Sequence, residues 1–369
     1  MNVPSKIAAA ADRAINIATR DKTYVHGTNE PSLVARLVAA LPVQLVKRWG
    51  IHFGPGVVQV TSAFCHPRPQ AHWDSNPLGP GRSELCDLLL LVASPDKSGV
   101  MTERALLIQA KNGINGIAFL TSAGDIKQRY MYANWPDFHI AKGNCNKREK
   151  GKGAPKSASK CVNNVTSYNI AAAAKSAARY GIVQENARPA WRIEALQASC
   201  PSSNLKTRVS IAKSFDDLDE VPVSATLSLG QALEDMVNHS LGYPIQYTGT
   251  DDWTEVIATL TTSALNLHDA AKFHLVTHAP GVSVVPISSA MTFATVDLHR
   301  VPIEQSTLIK RLHPHWHKMS GGRGVGFTAP REQIEMPIND GFGIIRIALA
   351  GYFKDEKHSE RKPKTRPIG

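Results

Sequence analysis

The sequence predicts an α/β fold, and three observations carry that prediction. Residues 31–48 repeat leucine and alanine at helical spacing behind a proline that suits a first helical turn. Two apolar runs, 85–94 and 103–111, have strand length and are joined by "PDKSG", whose proline, aspartate and glycine favour a turn. A second helix, 122–134, follows and ends before Pro136. The two apolar runs are therefore expected to form neighbouring antiparallel strands between helices.

The other elements follow from the same kinds of pattern. Residues 66–83 are rich in proline, glycine and histidine and are predicted to form a loop. The first 20 residues indicate a surface helix, with a transit peptide as the alternative. We also predict an alanine-rich helix at about 165–180, helices at 229–241 and 252–267, and strands around 57–64, 191–196, 207–212, 272–278, 282–287 and 342–350.

Charge and hydropathy restrict the classes of partner. The formal net charge is +11 and the sequence pI is about 9.4, which favours a polyanionic partner such as nucleic acid or an anionic membrane surface. The longest apolar stretch, "LLLLVA" at 88–93, is far shorter than the roughly 20 residues of a transmembrane helix. A membrane-spanning protein is therefore not expected.

The cysteines favour a reducing compartment. They are five in number, widely spread and without any CxxC pair: Cys65, Cys86, Cys145, Cys161 and Cys200. An odd and scattered set predicts neither a disulfide framework nor a zinc finger, and it lacks the clustered spacing of an iron–sulfur site. We therefore expect a cytoplasmic protein.

Three polar residues lie within or at the end of the two central apolar runs. Asp87 is the one polar residue within its run before the final serine, and Gln109 and Lys111 end the next run. Because strand side chains alternate, Gln109 and Lys111 share one face while Ile108 and Ala110 point into the core. A hairpin that brings Asp87 beside Gln109 and Lys111 would give the lysine a carboxylate partner. Such a pair is costly to bury unless it has a function.

This arrangement resembles the PD-(D/E)xK nuclease superfamily, whose core runs helix, three strands, helix, strand in a mixed sheet. Asp87 stands at the position of the family's metal-binding aspartate, and Gln109 and Lys111 stand at the (D/E)xK pair. Glu30 stands where many members keep a glutamate in the first helix. The resemblance therefore implies a restriction-endonuclease-like core, followed here by an α+β C-terminal region.

A further match lies on the helix after the lysine strand. "QRYMY" resembles the QxxxY motif of RecB-like nucleases, with Gln128 and Tyr132 one helical turn apart and able to brace the site or the DNA. The sequence departs from the superfamily at Gln109, where Glu or Asp is commoner, but Mrr-like restriction enzymes resemble it with QxK.

The resemblance implies a chemistry for these residues. Asp87, Glu30 and either the side-chain carbonyl or the backbone of Gln109 would hold Mg²⁺ or Mn²⁺, which activates water and neutralises charge at the phosphorus centre. Lys111 would orient the attacking water or help to deprotonate it, and would stabilise the developing negative charge.

The resemblance and the length together give a domain organisation. The 369 residues exceed the roughly 250 to 300 at which one core stops growing, so two domains are expected. We predict a nuclease core with its N-terminal helix at 1–140, a basic loop or linker at 141–162, completion of the nuclease sheet at 163–215, a recognition or partner domain at 216–353 and a basic, disordered tail at 354–369.

The basic segment is a candidate DNA contact. Residues 142–160 hold seven Lys and Arg residues against one glutamate, a net charge of +6, and no large apolar residue. Lys147, Arg148, Lys150 and Lys152 are expected to contact phosphates and to add salt-sensitive affinity; a solvated linker is the alternative.

The expected function is that of a Mg²⁺-dependent DNA endonuclease, and kinship with Mrr-like and RecB-like enzymes implies prokaryotic restriction or anti-phage defence. A homodimer or a partner subunit of a defence system is expected, because cutting both strands requires two sites. Three alternatives remain open: a catalytically weak or inactive DNA-binding module, an effector subunit of a multi-protein defence complex, and an ordinary α/β domain in which Asp87 and Lys111 form a structural pair.

Overall fold

The structure is a computed structural model that describes residues 5–23, 25, 27–53, 58–65, 70–74, 81–140, 166–195, 221–246, 251–266, 282–287, 290–296 and 342–349. Its helices are α1 (Lys6–Arg20), α2 (Glu30–Phe53), α3 (Ala123–Asn134), α4 (Leu229–Val237) and α5 (Asp252–Asn266). Its strands are β1 (Val58–Cys65), β2 (Gln70–Trp73), β3 (Gly81–Glu84), β4 (Leu88–Pro95), β5 (Met101–Asn112), β6 (Ile117–Leu120), β7 (His139–Ile140), β8 (Ala178–Val183), β9 (Trp191–Glu194), β10 (Val221–Ser228), β11 (Tyr243–Pro244), β12 (Val282–Ile287), β13 (Ala290–Val296) and β14 (Phe342–Leu349).

The strands form a mixed sheet and a smaller second sheet. The larger sheet has 11 strands in the order β12, β13, β1, β14, β4, β5, β8, β9, β10, β6, with β11 paired to one end of β5. The pairs β14–β4 and β5–β8 are parallel, and the other pairs are antiparallel. The smaller sheet has the order β3, β2, β7. The protein is therefore a mixed α/β structure, as predicted.

The hairpin of β4 and β5 lies at the centre of the larger sheet. Its strands pair antiparallel from Leu88 opposite Ile108 to Pro95 opposite Met101, which confirms the predicted pairing. The turn is closed by Asp96, whose Oδ1 accepts the backbone N–H of Ser98 at 2.8 Å. The hairpin sets the register in which the polar residues at its open end meet.

Both faces of this hairpin are buried. One face packs in a first core shared with α1, α2 and α4, and it carries Leu88, Leu90, Leu106 and Ile108. The leucines between them lie on the other face, in a second core shared with α3 and α5. A strand that is covered on both faces has a continuous apolar sequence instead of an alternating one. This explains why the two runs could be recognised as strands from their length and composition.

The predicted alanine-rich helix at about 165–180 is wrong. The structure has a single 3₁₀ turn, Ala174–Ala177, followed by β8. All six residues of β8 are buried, and the strand pairs in parallel with the end of β5. Alanine's helix propensity is a weak local preference, and here burial between β5 and β9 outweighs it.

The predicted loop at 66–83 is also partly wrong, because β2 and the first three residues of β3 lie within it. Burial alternates along β2, with Ala71 and Trp73 inside the second core, which is the pattern of a half-buried strand. The strand has only four residues and lies among prolines, which favoured the interpretation as a loop.

The C-terminal region contributes to the same sheet as the predicted core. β14 lies between β1 and β4, and β10 pairs with β9 and β6. The predicted boundary at residue 216 therefore does not separate two sheets in the described part of the chain. The predicted strands near 207–212 and 272–278, the segment 141–162 and the tail 354–369 lie outside the described residues. Of the helices described, none is long and apolar enough to cross a bilayer.

A buried ion pair connects β14 to the hairpin across β4. Arg346 Nε lies 2.6 Å from Glu103 Oε1, and Arg346 Nη2 lies 3.2 Å from Glu103 Oε2. Both side chains are buried, and burial raises the pKa of Glu103 although Arg346 opposes that shift. The bidentate pair joins two strands that are far apart in sequence.

We expect that Arg346→Met lowers the free energy of unfolding by about 3 to 5 kcal/mol, because it removes the bidentate cation beside the buried Glu103 carboxylate. The double variant Glu103→Leu/Arg346→Met should recover most of that loss. Urea denaturation followed by tryptophan fluorescence measures both. Equal losses in the single and double variants would contradict the account.

Candidate functional site

Asp87 is fixed where three strands meet. Its backbone N–H donates to the Ile108 carbonyl on β5 at 3.0 Å, and its own carbonyl accepts the N–H of Gly343 on β14 at 2.7 Å. Its carboxylate Oδ2 accepts the side-chain amide of Gln109 and the backbone N–H of Ala110, the latter at 2.8 Å. The side chain is buried, so this carboxylate is held in one position by both backbone and side-chain contacts.

Gln109 connects Asp87 to α3. Its Oε1 accepts the amide of Gln128, and the same amide also donates to the Glu84 carbonyl at 3.1 Å. Because a carboxylate only accepts hydrogen bonds, the NH₂ group of Gln109 must face Asp87 and its oxygen must face Gln128. The side-chain carbonyl of Gln109, one of its two predicted metal-binding groups, therefore faces Gln128, and its amide holds Asp87.

Tyr132 braces the same segment from the next turn of α3. Its hydroxyl donates to the Leu85 carbonyl at 2.5 Å, one residue beyond the carbonyl that Gln128 contacts. Burial raises the pKa of Tyr132 well above its ordinary value, so the hydroxyl remains a neutral donor. Gln128 and Tyr132 together fix residues 84–85, which lead directly into Asp87.

Lys111 lies between two carboxylates at the end of β5. Its Nζ is 2.7 Å from Asp125 Oδ1 and 3.7 Å from Glu30 Oε2. Glu30, the first residue of α2, also accepts the backbone N–H of Asn112 at 2.9 Å. The structure therefore brings together Glu30 and Lys111, which the sequence predicted as site residues. Asp87 was predicted as the carboxylate partner of Lys111, but the carboxylate in direct contact with its ammonium group is that of Asp125.

Asp125 was missed in the sequence analysis. The side chain of Ser122 accepts the Asp125 N–H at 3.1 Å, and Asp125 Oδ2 accepts the backbone N–H of Ser122 at 3.3 Å, which forms a capping box at the start of α3. The spacing Ser122-x-x-Asp125 was visible, but it indicated only a helix start. The box leaves Asp125 Oδ1 directed at Lys111.

Electrostatics keep Lys111 charged. Burial opposes its ammonium form, but Glu30, Asp87 and Asp125 outweigh that effect and raise the pKa of Lys111. Burial likewise opposes the charge of Asp125, but Lys111 and Ser122 outweigh it and lower the pKa of Asp125. Lys111 is therefore a cation at neutral pH and cannot accept a proton in this arrangement.

A second buried ion pair holds α3 against the sheet. Arg129 Nη1 lies 2.9 Å from Glu194 Oε1 and 3.0 Å from Glu194 Oε2, and its guanidinium stacks 5.3 Å from the centre of the Tyr180 ring. Because Asp125, Gln128 and Tyr132 are all on α3, this anchor to β8 and β9 fixes their distance from β5.

The donor set is compatible with a divalent cation. Three carboxylates, those of Asp87, Glu30 and Asp125, act on one ammonium group, which leaves a net charge of −2. In the part of the chain described, no three or more His, Cys, Asp or Glu side chains are close enough to hold a metal ion by themselves. Mg²⁺ does not require such a set, since it keeps several waters and binds through one or two carboxylates and substrate phosphates.

Comparison of the chain with protein-family models, with curated proteins and with solved structures finds no match. The proposed function therefore rests on the geometry around Asp87 and Lys111.

The predicted DNA-binding residues of the basic segment are not among those that the structure describes: Lys147, Arg148, Lys150 and Lys152.

Replacing Asp125 by asparagine should make stability less dependent on acidification. The pKa of Asp125 is lowered in the folded protein, so its contribution to stability is present above the unfolded-state pKa of about 3.9 and is lost as the pH falls through the folded-state pKa. We expect Asp125→Asn to be less stable than the wild type by about 1 kcal/mol at pH 7, with the difference disappearing as the pH falls through the folded-state pKa.

Urea denaturation from pH 7 down to the lowest pH at which the protein stays folded measures this difference. Asp137→Asn, at an exposed position beyond α3, is the matched control. A deficit for Asp125→Asn that is the same at every pH would contradict the assigned ion pair.

Proposed function

We propose that the protein is a metal-dependent nuclease that hydrolyses phosphodiester bonds in DNA. The observation that carries this proposal is the convergence of Lys111 with Glu30 and Asp125 at the end of β5, beside the buried carboxylate of Asp87. Three carboxylates around one lysine give this group a formal net charge of −2, which is more negative charge than a structural ion pair needs.

The order of the elements supports a restriction-endonuclease-like core. α2, β1, β4, β5, α3 and β8 follow one another as helix, three strands, helix, strand, with short strands between them. β4 and β5 are antiparallel and β8 is parallel to β5, so the sheet is mixed. β14 is then an additional strand between β1 and β4, contributed by the C-terminal region.

Mg²⁺ or Mn²⁺ is the proposed cofactor, held by Asp87 and Glu30 with Asp125 nearby. When bound, the ion supplies a nucleophilic water and charge neutralisation at the phosphorus centre. The net charge of −2 around Lys111 supports this choice, because a divalent cation would balance it. Carboxylate oxygens are the ligands that Mg²⁺ prefers in proteins.

Lys111 acts in this proposal as a fixed positive charge. Its raised pKa rules out proton abstraction while Glu30 and Asp125 remain charged. The ammonium group would orient the attacking water and stabilise the negative charge that develops on the phosphate. Asp125 would position Lys111, since the capping box fixes its carboxylate.

Gln109 has a positioning role that explains the departure from the usual acidic residue. It donates to Asp87 and accepts from Gln128, whereas a carboxylate in its place would face Asp87 with a like charge. The amide therefore connects Asp87 to α3 without placing a second negative charge beside it. A bound Mg²⁺ would then have fewer protein ligands, as this ion permits.

The biological setting is also a proposal. Resemblance to Mrr-like and RecB-like enzymes favours a cytoplasmic enzyme of prokaryotic restriction or anti-phage defence, acting as a homodimer or with a partner subunit. A second candidate is a catalytically weak or inactive DNA-binding module, which the neutral side chain at Gln109 favours. An effector subunit that cuts only with its partner is distinguished by the same assay.

Lys111→Ala should slow cleavage of supercoiled plasmid by about 10²- to 10⁴-fold in Mg²⁺ or Mn²⁺, because it removes the charge that stabilises the transition state. Asp87→Asn should have an effect of similar size, and EDTA should stop the wild type. Gel electrophoresis of nicked and linear products measures the rates. Lys97→Ala, in the exposed turn between β4 and β5, is the matched control.

Equal rates for the wild type and Lys111→Ala in every metal would refute the catalytic proposal. DNA binding without cleavage by the wild type would favour the inactive module. Cleavage that begins only when a partner is added would favour the effector.

The basic segment should contribute electrostatic affinity without sequence preference. Changing Lys147, Arg148, Lys150 and Lys152 to glutamine should weaken DNA binding and flatten its dependence on salt, since each lost phosphate contact lowers the slope of log K against log salt by about 0.9. Fluorescence anisotropy at several salt concentrations measures this slope. An unchanged slope would show that the segment is a solvated linker.

A further inference from the structure

Three basic side chains lie in one row across the smaller sheet. In the register of β2 with its two neighbours, His72 is opposite Arg82 on β3 and opposite His139 on β7. Directly opposite side chains on paired strands point to the same face, about 5 Å apart. The row therefore places a guanidinium and two imidazoles side by side, and none of them belongs to the site at Asp87.

The row is on the outer face of the smaller sheet. Ala71, Trp73 and Ile140 occupy the opposite face and are buried in the second core, where the Trp73 ring lies 6.3 Å from that of Tyr130 on α3. Arg82 is exposed, whereas His72 and His139 are half-buried. The core thus fixes the sheet from behind while the row remains accessible to a ligand.

The geometry suits an anion better than a metal ion. The two imidazole rings are stacked, with centroids 5.4 Å apart and planes inclined by 17°. Stacked rings do not direct their nitrogens at one common point, as metal ligands must. Arg82 makes no hydrogen bond or ion pair to any residue that the structure describes, so its fork of N–H donors is available to a phosphate oxygen.

The charges around the row affect the pKa of His72 and so make anion binding depend on pH. The pKa of His72 is lowered by burial and by the neighbouring His139 and Arg82, while Asp74 opposes that shift. Arg82 gives the row one permanent positive charge. A bound anion would compensate the repulsion on His72 and favour its protonated form. Binding of an anion should therefore become stronger as the pH falls.

We propose that the row formed by Arg82, His72 and His139 binds the phosphate backbone of DNA beside the nuclease site. This inference rests on the proposed function for the identity of its ligand. Arg82 precedes Asp87 by five residues, so their Cα atoms are at most about 17 Å apart. A DNA strand held at the row therefore lies within a few nucleotides of the carboxylate at which we place cleavage.

The test measures DNA binding in a Lys111→Ala background, with EDTA present to stop cleavage, and uses a short duplex of arbitrary sequence at pH 5.8 and pH 7.8. The added variants are Arg82→Gln and the pair His72→Asn/His139→Asn, with Lys97→Gln as the matched surface control. Fluorescence anisotropy at several salt concentrations gives affinity and salt slope, and circular dichroism checks that each variant is folded.

We expect Arg82→Gln to weaken binding by about tenfold and to lower the salt slope by about one, for all duplex sequences alike. The parent protein should bind DNA more tightly at pH 5.8 than at pH 7.8. The double histidine variant should lose more of this pH dependence than Lys97→Gln does. Salt slopes and pH dependence equal to those of Lys97→Gln would overturn the proposal.

A second measurement separates this proposal from the nuclease proposal. Histidine proton resonances of the full chain are followed by NMR during titration with inorganic phosphate, and the midpoint of His72 should rise; no shift would overturn the row as an anion site. If the row variants weaken DNA binding while the wild type cleaves nothing in any metal, the nuclease proposal fails and the row stands. If cleavage depends on Lys111 while the row variants bind DNA like the control, the row proposal alone fails.

Discussion

The carboxylate of Asp87 lies at the point where β14, β4 and β5 meet, and its hydrogen bonds position these strands and α3 relative to one another. The backbone of Asp87 bonds to both neighbouring strands, and its side chain accepts hydrogen bonds from Gln109 and from the N–H of Ala110. Through Gln109 these bonds continue to α3, and so the register of the hairpin, the position of β14 and the distance of α3 are mutually dependent. These donors hold the carboxylate of Asp87 in one position, as a metal-binding role requires.

The charged cluster around Lys111 depends on that framework. It lies where the first residue of α2, the end of β5 and the first turn of α3 come together, so three separate elements supply one group of charges. The buried pair of Arg129 and Glu194 holds α3 in place, and the pair of Glu103 and Arg346 holds β14. Such pairs contribute little net stability, but removing one partner is costly, and they therefore favour one arrangement of the elements over others.

The sequence predicted the parts of this site whose signals are local. The β4–β5 hairpin followed from two apolar runs and a turn, and Glu30, Lys111, Gln128 and Tyr132 followed from motif spacing. Asp125 did not, because its spacing to Ser122 indicates a helix cap and its contact with Lys111 depends on the path of the chain through β6. β8 was missed because alanine favours a helix locally, while parallel pairing with β5 is a contact between distant residues. The insertion of β14 between β1 and β4 is of the same non-local kind.

We propose above all that Asp87, held in position by Gln109 and Ala110, is a ligand of a divalent cation. Titration calorimetry with Mn²⁺ measures this directly in the wild type, in Asp87→Asn and in the control Asp137→Asn. The account predicts saturable Mn²⁺ binding in the wild type and the control, and a loss of affinity of at least about tenfold, or roughly 1.4 kcal/mol, in Asp87→Asn. Equal Mn²⁺ affinity in all three proteins, or no Mn²⁺ binding by the wild type even with a duplex present, would contradict it.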